Sequence, residues 1–174
     1  LGSSDYGAQL AAHLGLPYAF AYFFMDGQGV DEALHLYRRL YKPSARHPQP
    51  QATICVWALA ADTEEQARYE ARSGALSMLL LRTGRLQEIP TPEQAAQYPY
   101  SAAELDLVRA MGRTEVVGSA DQVAAGLDEL AARFGVQGQP TVSQVCIDRR
   151  RQWRHVSNLR DNAALRSGVH RMTH

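Results

Sequence analysis

Residues 16–24 read Leu-Pro-Tyr-Ala-Phe-Ala-Tyr-Phe-Phe, a run that is apolar on both sides of any extended strand. A strand without a polar face needs cover on both, as in a parallel sheet flanked by helices. Parallel neighbours must be joined by long crossovers, which are usually helical, and the flanking sequence supplies them. A helix is predicted from Ser4, with Ser4 or Asp5 as its cap, Leu10, Ala11 and Leu14 on one face, and Gly15 as a left-handed stop. A second helix is predicted from Asp31, with Ala33, Leu34, Tyr37, Leu40 and Tyr41 at helical spacing and Pro43 ending it.

The alternation continues along the chain. Residues 52–60 are rich in β-formers (Thr53, Ile54, Val56, Trp57) and lead into Asp62-Thr63-Glu64-Glu65-Gln66, where two overlapping capping boxes open a long helix closed by Gly84. Residues 89–100 carry three prolines and read as a surface excursion, followed by a capping box at Ser101 and Glu104 and a short helix to Met111. A further box at Ser119 and Gln122 opens a helix bearing Val123, Leu127, Leu130 and Phe134 that stops at Gly135, and residues 141–147 read as the last strand. Strands alternating with helices at this spacing call for α/β architecture with parallel strands and right-handed crossovers.

With 174 residues the chain is sized for one domain, and its 18 Lys+Arg balance 18 Asp+Glu. Zero formal charge argues against nucleic acid or an anionic membrane as the main partner, and no apolar run reaches the roughly 20 residues of a membrane span. Cys55 and Cys146 sit in apolar runs with no CxxC pair, the usage of a reduced, cytoplasmic protein. Opening on Leu1 and a loop signal, the sequence is expected to be part of a longer design. Residues 148–174 differ from the rest: seven of the eighteen basic residues lie there, all arginine, against Asp148 and Asp161. Two readings stand for this tail: a solvated, partly disordered segment, or an anion- or nucleic-acid-binding arm built on Arg149, Arg150, Arg151, Trp153 and Arg154.

Candidate chemistry concentrates at the start. Gly2, Ser3 and Ser4 immediately ahead of a helix would set backbone N–H groups and hydroxyl donors at the positive end of the helix dipole, where a phosphate binds; an ordinary serine cap is the alternative, and Asp5 would repel an anion unless turned outward. The six histidines (His13, His35, His47, His155, His170, His174) form no metal-ligand spacing, so no metal is expected. There is no GxSxG, Walker loop or GxGxxG, Gly27-Gln28-Gly29 reads as a loop, and Asp62, Glu64 and Glu65 are explained by the dipole of the helix they open. Spacing defines no catalytic acid, base or nucleophile.

Four stretches, in order, resemble successive landmarks of the luciferase-like flavin-dependent monooxygenases: Leu1-Gly2-Ser3-Ser4-Asp5-Tyr6-Gly7-Ala8-Gln9-Leu10-Ala11-Ala12; Gly15-Leu16-Pro17-Tyr18-Ala19-Phe20-Ala21; Ala61-Asp62-Thr63-Glu64-Glu65-Gln66-Ala67; and Val117-Gly118-Ser119-Ala120-Asp121-Gln122-Val123. The resemblance covers residues 1–147 and implies an incomplete (β/α)8 TIM-type barrel, of which this chain supplies roughly strands six to eight with their helices; residues 148–174 are then a divergent tail, explained either by a shifted reading frame near Val145 or by genuine divergence. It further implies that Gly2, Ser3 and Ser4, with Tyr6 as a weaker candidate, help to hold the phosphate of reduced FMN. The chemistry, oxidation of a small organic substrate with oxygen, then belongs to the flavin, and a flavin reductase is the implied partner. Phe23, preceded by Tyr22, stands where relatives often carry a histidine.

Most of the flavin-lining residues would come from strands this chain lacks, so a complete active site is not expected in it alone. The rival reading is a non-catalytic flavin or anion binder, or a structural barrel remnant. An open barrel edge is expected to expose Tyr18, Phe20, Tyr22, Phe23 and Phe24, and self-association through the strand at residues 16–24 is expected to cover them.

Overall fold

A computed structural model describes residues 1–24 and 27–136 and the backbone of residues 144–146. The elements run α1 (Asp5–His13), β1 (Tyr18–Ala21), α2 (Val30–Leu40), β2 (Ala52–Cys55), β3 (Trp57–Ala61), α3 (Glu64–Arg82), α4 (Pro92–Gln97), α5 (Ala102–Met111), a 3-10 turn (Gly112–Thr114), β4 (Glu115–Ser119), α6 (Ala120–Phe134) and β5 (Gln144–Cys146). All three strand pairings are parallel. β1 pairs with β2 in the register Tyr18 to Ala52, and β3 lies between β4 and β5 with Trp57 opposite both Glu115 and Gln144.

The strand expected at residues 16–24 is shorter than its apolar run. The Leu16 N–H is tied back to the Ala11 carbonyl, and Pro17 has no N–H to give, so pairing begins at Tyr18, whose N–H reaches the Gln51 carbonyl at 2.9 Å. After Ala21 the chain turns, with the Phe24 N–H on the Ala21 carbonyl and the Gly27 N–H on the Tyr22 carbonyl. Residues 52–61 likewise divide at Val56: β2 serves β1, and β3 serves β4 and β5. β4 was not expected. Its Glu-Val-Val-Gly-Ser sequence is short and half polar, and its strand state depends on the Trp57–Ala61 partner. The excursion at residues 89–100 holds a helix of its own, α4, whose capping box pairs Thr91 with Gln94.

Alternation along β2 and β3 divides two packing regions. Ala52, Ile54, Val56, Ala58 and Ala60 join Tyr18 and Phe20 of β1, Ala8 and Ala12 of α1, Val30, Ala33, Leu34 and Tyr37 of α2, and Val123, Leu127 and Phe134 of α6 in the main core. Burying a side chain such as Phe20 completely stabilises the fold by about 1.5–3 kcal/mol. A smaller cluster joins Leu76, Met78, Leu79 and Leu80 of α3 to Ala95 and Met111, with Trp57 packed against it. The expected bare aromatic patch is therefore corrected: Tyr18, Phe20 and Tyr22 are buried, because their side of β1 meets helices, whereas Phe23 is half-buried and Phe24 exposed.

The buried face of α1 is a second correction. Leu10 and Leu14, which spacing placed on the packing face, are exposed, and the helix instead rests on Ala8 and Ala12, whose small side chains let it lie close to the sheet and α2. Gly15 does adopt the left-handed conformation at φ 61° after α1, as does Gly135 at the C-cap of α6. Arg38 of α2 closes the end of α6 by donating from Nη2 to the Phe134 carbonyl at 2.7 Å and the Gly135 carbonyl at 3.1 Å. The expectations for residues 148–174 lie outside the described residues.

Candidate functional site at the start of α1

Gly2 forms a one-residue rung on the side of β1 away from β2. Its N–H donates to the Ala19 carbonyl at 3.0 Å, and its carbonyl accepts from the Ala21 N–H at 2.8 Å. The space beside it is ordinary: a Cβ at Gly2 would sit 3.6 Å from both the Gly7 Cα and the Tyr18 ring. Of the predicted anion-site residues, Gly2 thus has its N–H committed to the sheet and serves as the anchor of the loop.

Ser3 and Ser4 follow immediately, Ser3 half-buried and Ser4 exposed. Ser4 is the N-cap of α1 with extended backbone (φ −145°, ψ 163°), yet its side chain makes no capping hydrogen bond. Its carbonyl accepts the first helical bond, from the Ala8 N–H at 3.4 Å, so the N–H groups of Asp5, Tyr6 and Gly7 have no acceptor among the described residues. Two hydroxyls and a first turn of unanswered N–H groups therefore adjoin one another at a positive helix end. Asp5 occupies the first turn, and Tyr6 is 75% exposed.

Tyr18 lies beneath this turn and donates from its hydroxyl to the Ser4 carbonyl at 3.4 Å. Burial, with a smaller contribution from the Asp5 charge, pushes its phenol up to about 12. The hydroxyl consequently stays a proton donor across the physiological range and steadies the carbonyl of the cap residue.

Sequence reasoning missed a second group of polar atoms, on the sheet face opposite the main core. Thr53 Oγ1 and Trp57 Nε1 are buried without a hydrogen-bond partner among the described residues. The Trp57 ring stacks on Phe23 with centroids 5.6 Å apart and planes 9° from parallel. Glu115, beside Trp57 in the register, has its carboxyl pushed up by burial. Nothing in local spacing announces such atoms, since their isolation depends on what packs over them. Among the described residues no group of three or more His, Cys, Asp or Glu side chains could hold a metal, and no helix is long and apolar enough to cross a membrane.

Fold and site together define a parallel β/α protein whose first helix starts at a serine that makes no side-chain capping bond. No protein-family model matches the chain. The luciferase-like monooxygenase of Escherichia coli (strain K12) is 39% identical over 130 residues, which are 75% of this chain and 38% of that protein. The uncharacterized protein YceB of Bacillus subtilis (strain 168) is 32% identical over 134 residues, 77% of this chain and 40% of that one. The solved structure of apo-MsnO8 superposes with a TM-score of 0.64 at 24% identity, over 97% of this chain and 48% of that chain, a likeness of fold. Over about three quarters of its length the chain resembles the luciferase-like monooxygenases, and it spans about two fifths of the length of these curated relatives.

Proposed function

We propose that the chain is part of a flavin-dependent monooxygenase barrel in which the start of α1 holds the phosphate of reduced FMN. The observation that carries this reading is the Ser4 cap whose hydroxyl makes no bond to its own helix. With the Ser3 hydroxyl and the N–H groups of Asp5, Tyr6 and Gly7, it forms a donor set suited to a phosphate dianion. Gly2 fixes the loop against β1, and Tyr18 holds the Ser4 carbonyl from below. When bound, reduced flavin supplies the electrons that let dioxygen oxidise a small organic substrate. The chain's own residues orient the cofactor and keep water from it, with Phe23 and Trp57 offering an apolar wall. In this reading β1, β2–β3 and β5 are strands of an incomplete (β/α)8 barrel, and a separate flavin reductase regenerates the cofactor.

Titration calorimetry with FMN and with inorganic phosphate tests the site. Ser3→Ala combined with Ser4→Ala should weaken both ligands by at least tenfold, since a hydrogen bond to a charged group is worth about 1.5–3 kcal/mol. Equal affinity in variant and parent would overturn the assignment. Incorporation of an oxygen atom from labelled dioxygen into an organic substrate, with NADH, FMN and an added flavin reductase, separates an enzyme from a flavin binder without turnover.

A further inference from the structure

We propose that Glu115 of β4 and Trp57 of β3 form a proton switch, in which loss of the Glu115 proton to solvent draws the carboxylate onto the Trp57 indole N–H. The two residues lie opposite one another in the parallel register of β3 and β4. Their backbones therefore run about 4.8 Å apart, and their side chains leave the sheet on the same face. Val116, the next residue, packs against the main core, which turns Glu115 to the other side, where Trp57 meets the α3 cluster. Each group lacks what the other can give. Trp57 Nε1, a donor only, is buried with no acceptor among the described residues. Glu115 is half-buried, and neither a hydrogen bond nor a neighbouring charge acts on its carboxyl: burial alone raises it above the ordinary carboxylate range.

The charged groups on the elements around β4 are engaged elsewhere. On α3, Glu64 accepts from Arg68 and Gln122, and Arg72 stands over the Tyr69 ring. Arg113, in the turn before β4, is exposed, and the Tyr100 phenol is acted on by Tyr98, Arg72 and Glu104. β3 carries no titratable side chain, and α6 packs on the opposite face, with Val116. A protonated carboxyl is tolerated in such surroundings, whereas a carboxylate needs a donor, and the indole N–H is the donor that the register sets beside it. The Trp57 ring is stacked on Phe23, with centroids 5.6 Å apart. Ionisation on β4 is thereby carried to the aromatic pair at the end of β1. Atoms of this chain already bury Trp57 Nε1, so the switch depends on no surface left open, and it operates with or without flavin.

Two-dimensional NMR of the isotope-labelled full chain reads the indole N–H directly, and Trp153→Phe leaves Trp57 as the sole indole. Between about pH 4 and about pH 8 the Trp57 cross-peak should move downfield in one step, with its midpoint above the 4.5 of an ordinary glutamate. Glu115→Gln keeps the shape of the side chain but cannot ionise, and should abolish the step. Trp57→Phe keeps a ring and removes the donor. The ionisation constant of Glu115, followed by its carboxyl carbon signal, should then fall by roughly tenfold. Backbone amide signals that stay in place show that each variant keeps the fold. An indole signal that stands still across the range in the parent would overturn the proposal, as would a step that persists in Glu115→Gln or a Glu115 midpoint unmoved in Trp57→Phe.

Discussion

Helices α1 and α6 both begin at a serine with extended backbone, and they treat that serine in opposite ways. At α6 the Ser119 hydroxyl accepts from the Gln122 N–H at 3.4 Å, and Gln122 Oε1 accepts from the Ser119 N–H at 2.8 Å, a closed exchange that answers two donors. At α5 Ser101 and Glu104 do the same. At α1 the third residue after the cap is Gly7, which has no side chain to return, and the Ser4 hydroxyl makes no bond to its helix. The reciprocal half of the exchange is thus present at α5 and α6 and absent at α1, where position N3 has no side chain to supply it.

The comparison can be broken by writing the missing residue into α1. Gly7→Glu recreates the box found at Ser101. A Cβ at position 7 would lie 3.6 Å from the Gly2 Cα and 3.7 Å from the Tyr18 ring, ordinary contact distances that admit the side chain. Phosphate and FMN affinity should fall by at least tenfold, because the carboxylate both occupies the donors and repels the ligand. Stability should rise by about 1 kcal/mol as glycine leaves a helix and a cap is gained. Calorimetry and urea denaturation read the two effects separately, and undiminished anion binding would show that the ligand is held away from this turn.

The reciprocal change sharpens it. Ser119→Ala should cost about 1 kcal/mol of stability by opening the box at α6, while anion binding at α1 stays as in the parent. The double alanine variant at Ser3 and Ser4 should do the converse, losing ligand with little change in the denaturation midpoint, since neither hydroxyl caps α1.

These helix starts were largely legible in the sequence because a capping box is a local device, complete within four residues. Ser101 with Glu104 and Ser119 with Gln122 form as their spacing predicts. Of the two overlapping boxes before α3, Thr63 is the one that caps, accepting from the Gln66 N–H. What depends on distant partners was not legible. Gly2 read as a phosphate-loop donor, and only its pairing across to Ala19 and Ala21 shows its N–H committed to the sheet. Leu10 and Leu14 carry the spacing of a buried face, yet Ala8 and Ala12 occupy the core because close approach to β1 and α2 favours small side chains. The division of residues 52–61 at Val56, and the strand state of residues 115–119, are decided by which neighbour each half meets.

The smallest expected difference between the two kinds of helix start lies in their response to pH, and it has opposite sign at the two ends of the scale. In the closed start of α5, hydrogen bonds from the Ser101 N–H, the Arg85 guanidinium and the Ser101 hydroxyl hold the Glu104 carboxyl down at about 2, against an ordinary 4.5. Its contribution is therefore complete above the unfolded value and is lost as pH falls from about 4.5 to about 2. In the open start of α1, Tyr18 is raised from 10.0 to about 12, chiefly by burial. Its contribution is complete below pH 10 and is lost as pH climbs toward 12, when a phenolate would form beneath the Ser4 carbonyl and near Asp5. Denaturation midpoints of Glu104→Gln should accordingly converge on those of the parent only at the acid end, whereas the parent should lose stability relative to Tyr18→Phe only as pH climbs from 10 toward about 12. If Tyr18→Phe instead runs parallel to the parent through the alkaline range, the phenol titrates alike in the folded and unfolded chain, and the open start of α1 does not rest on a buried, protonated Tyr18.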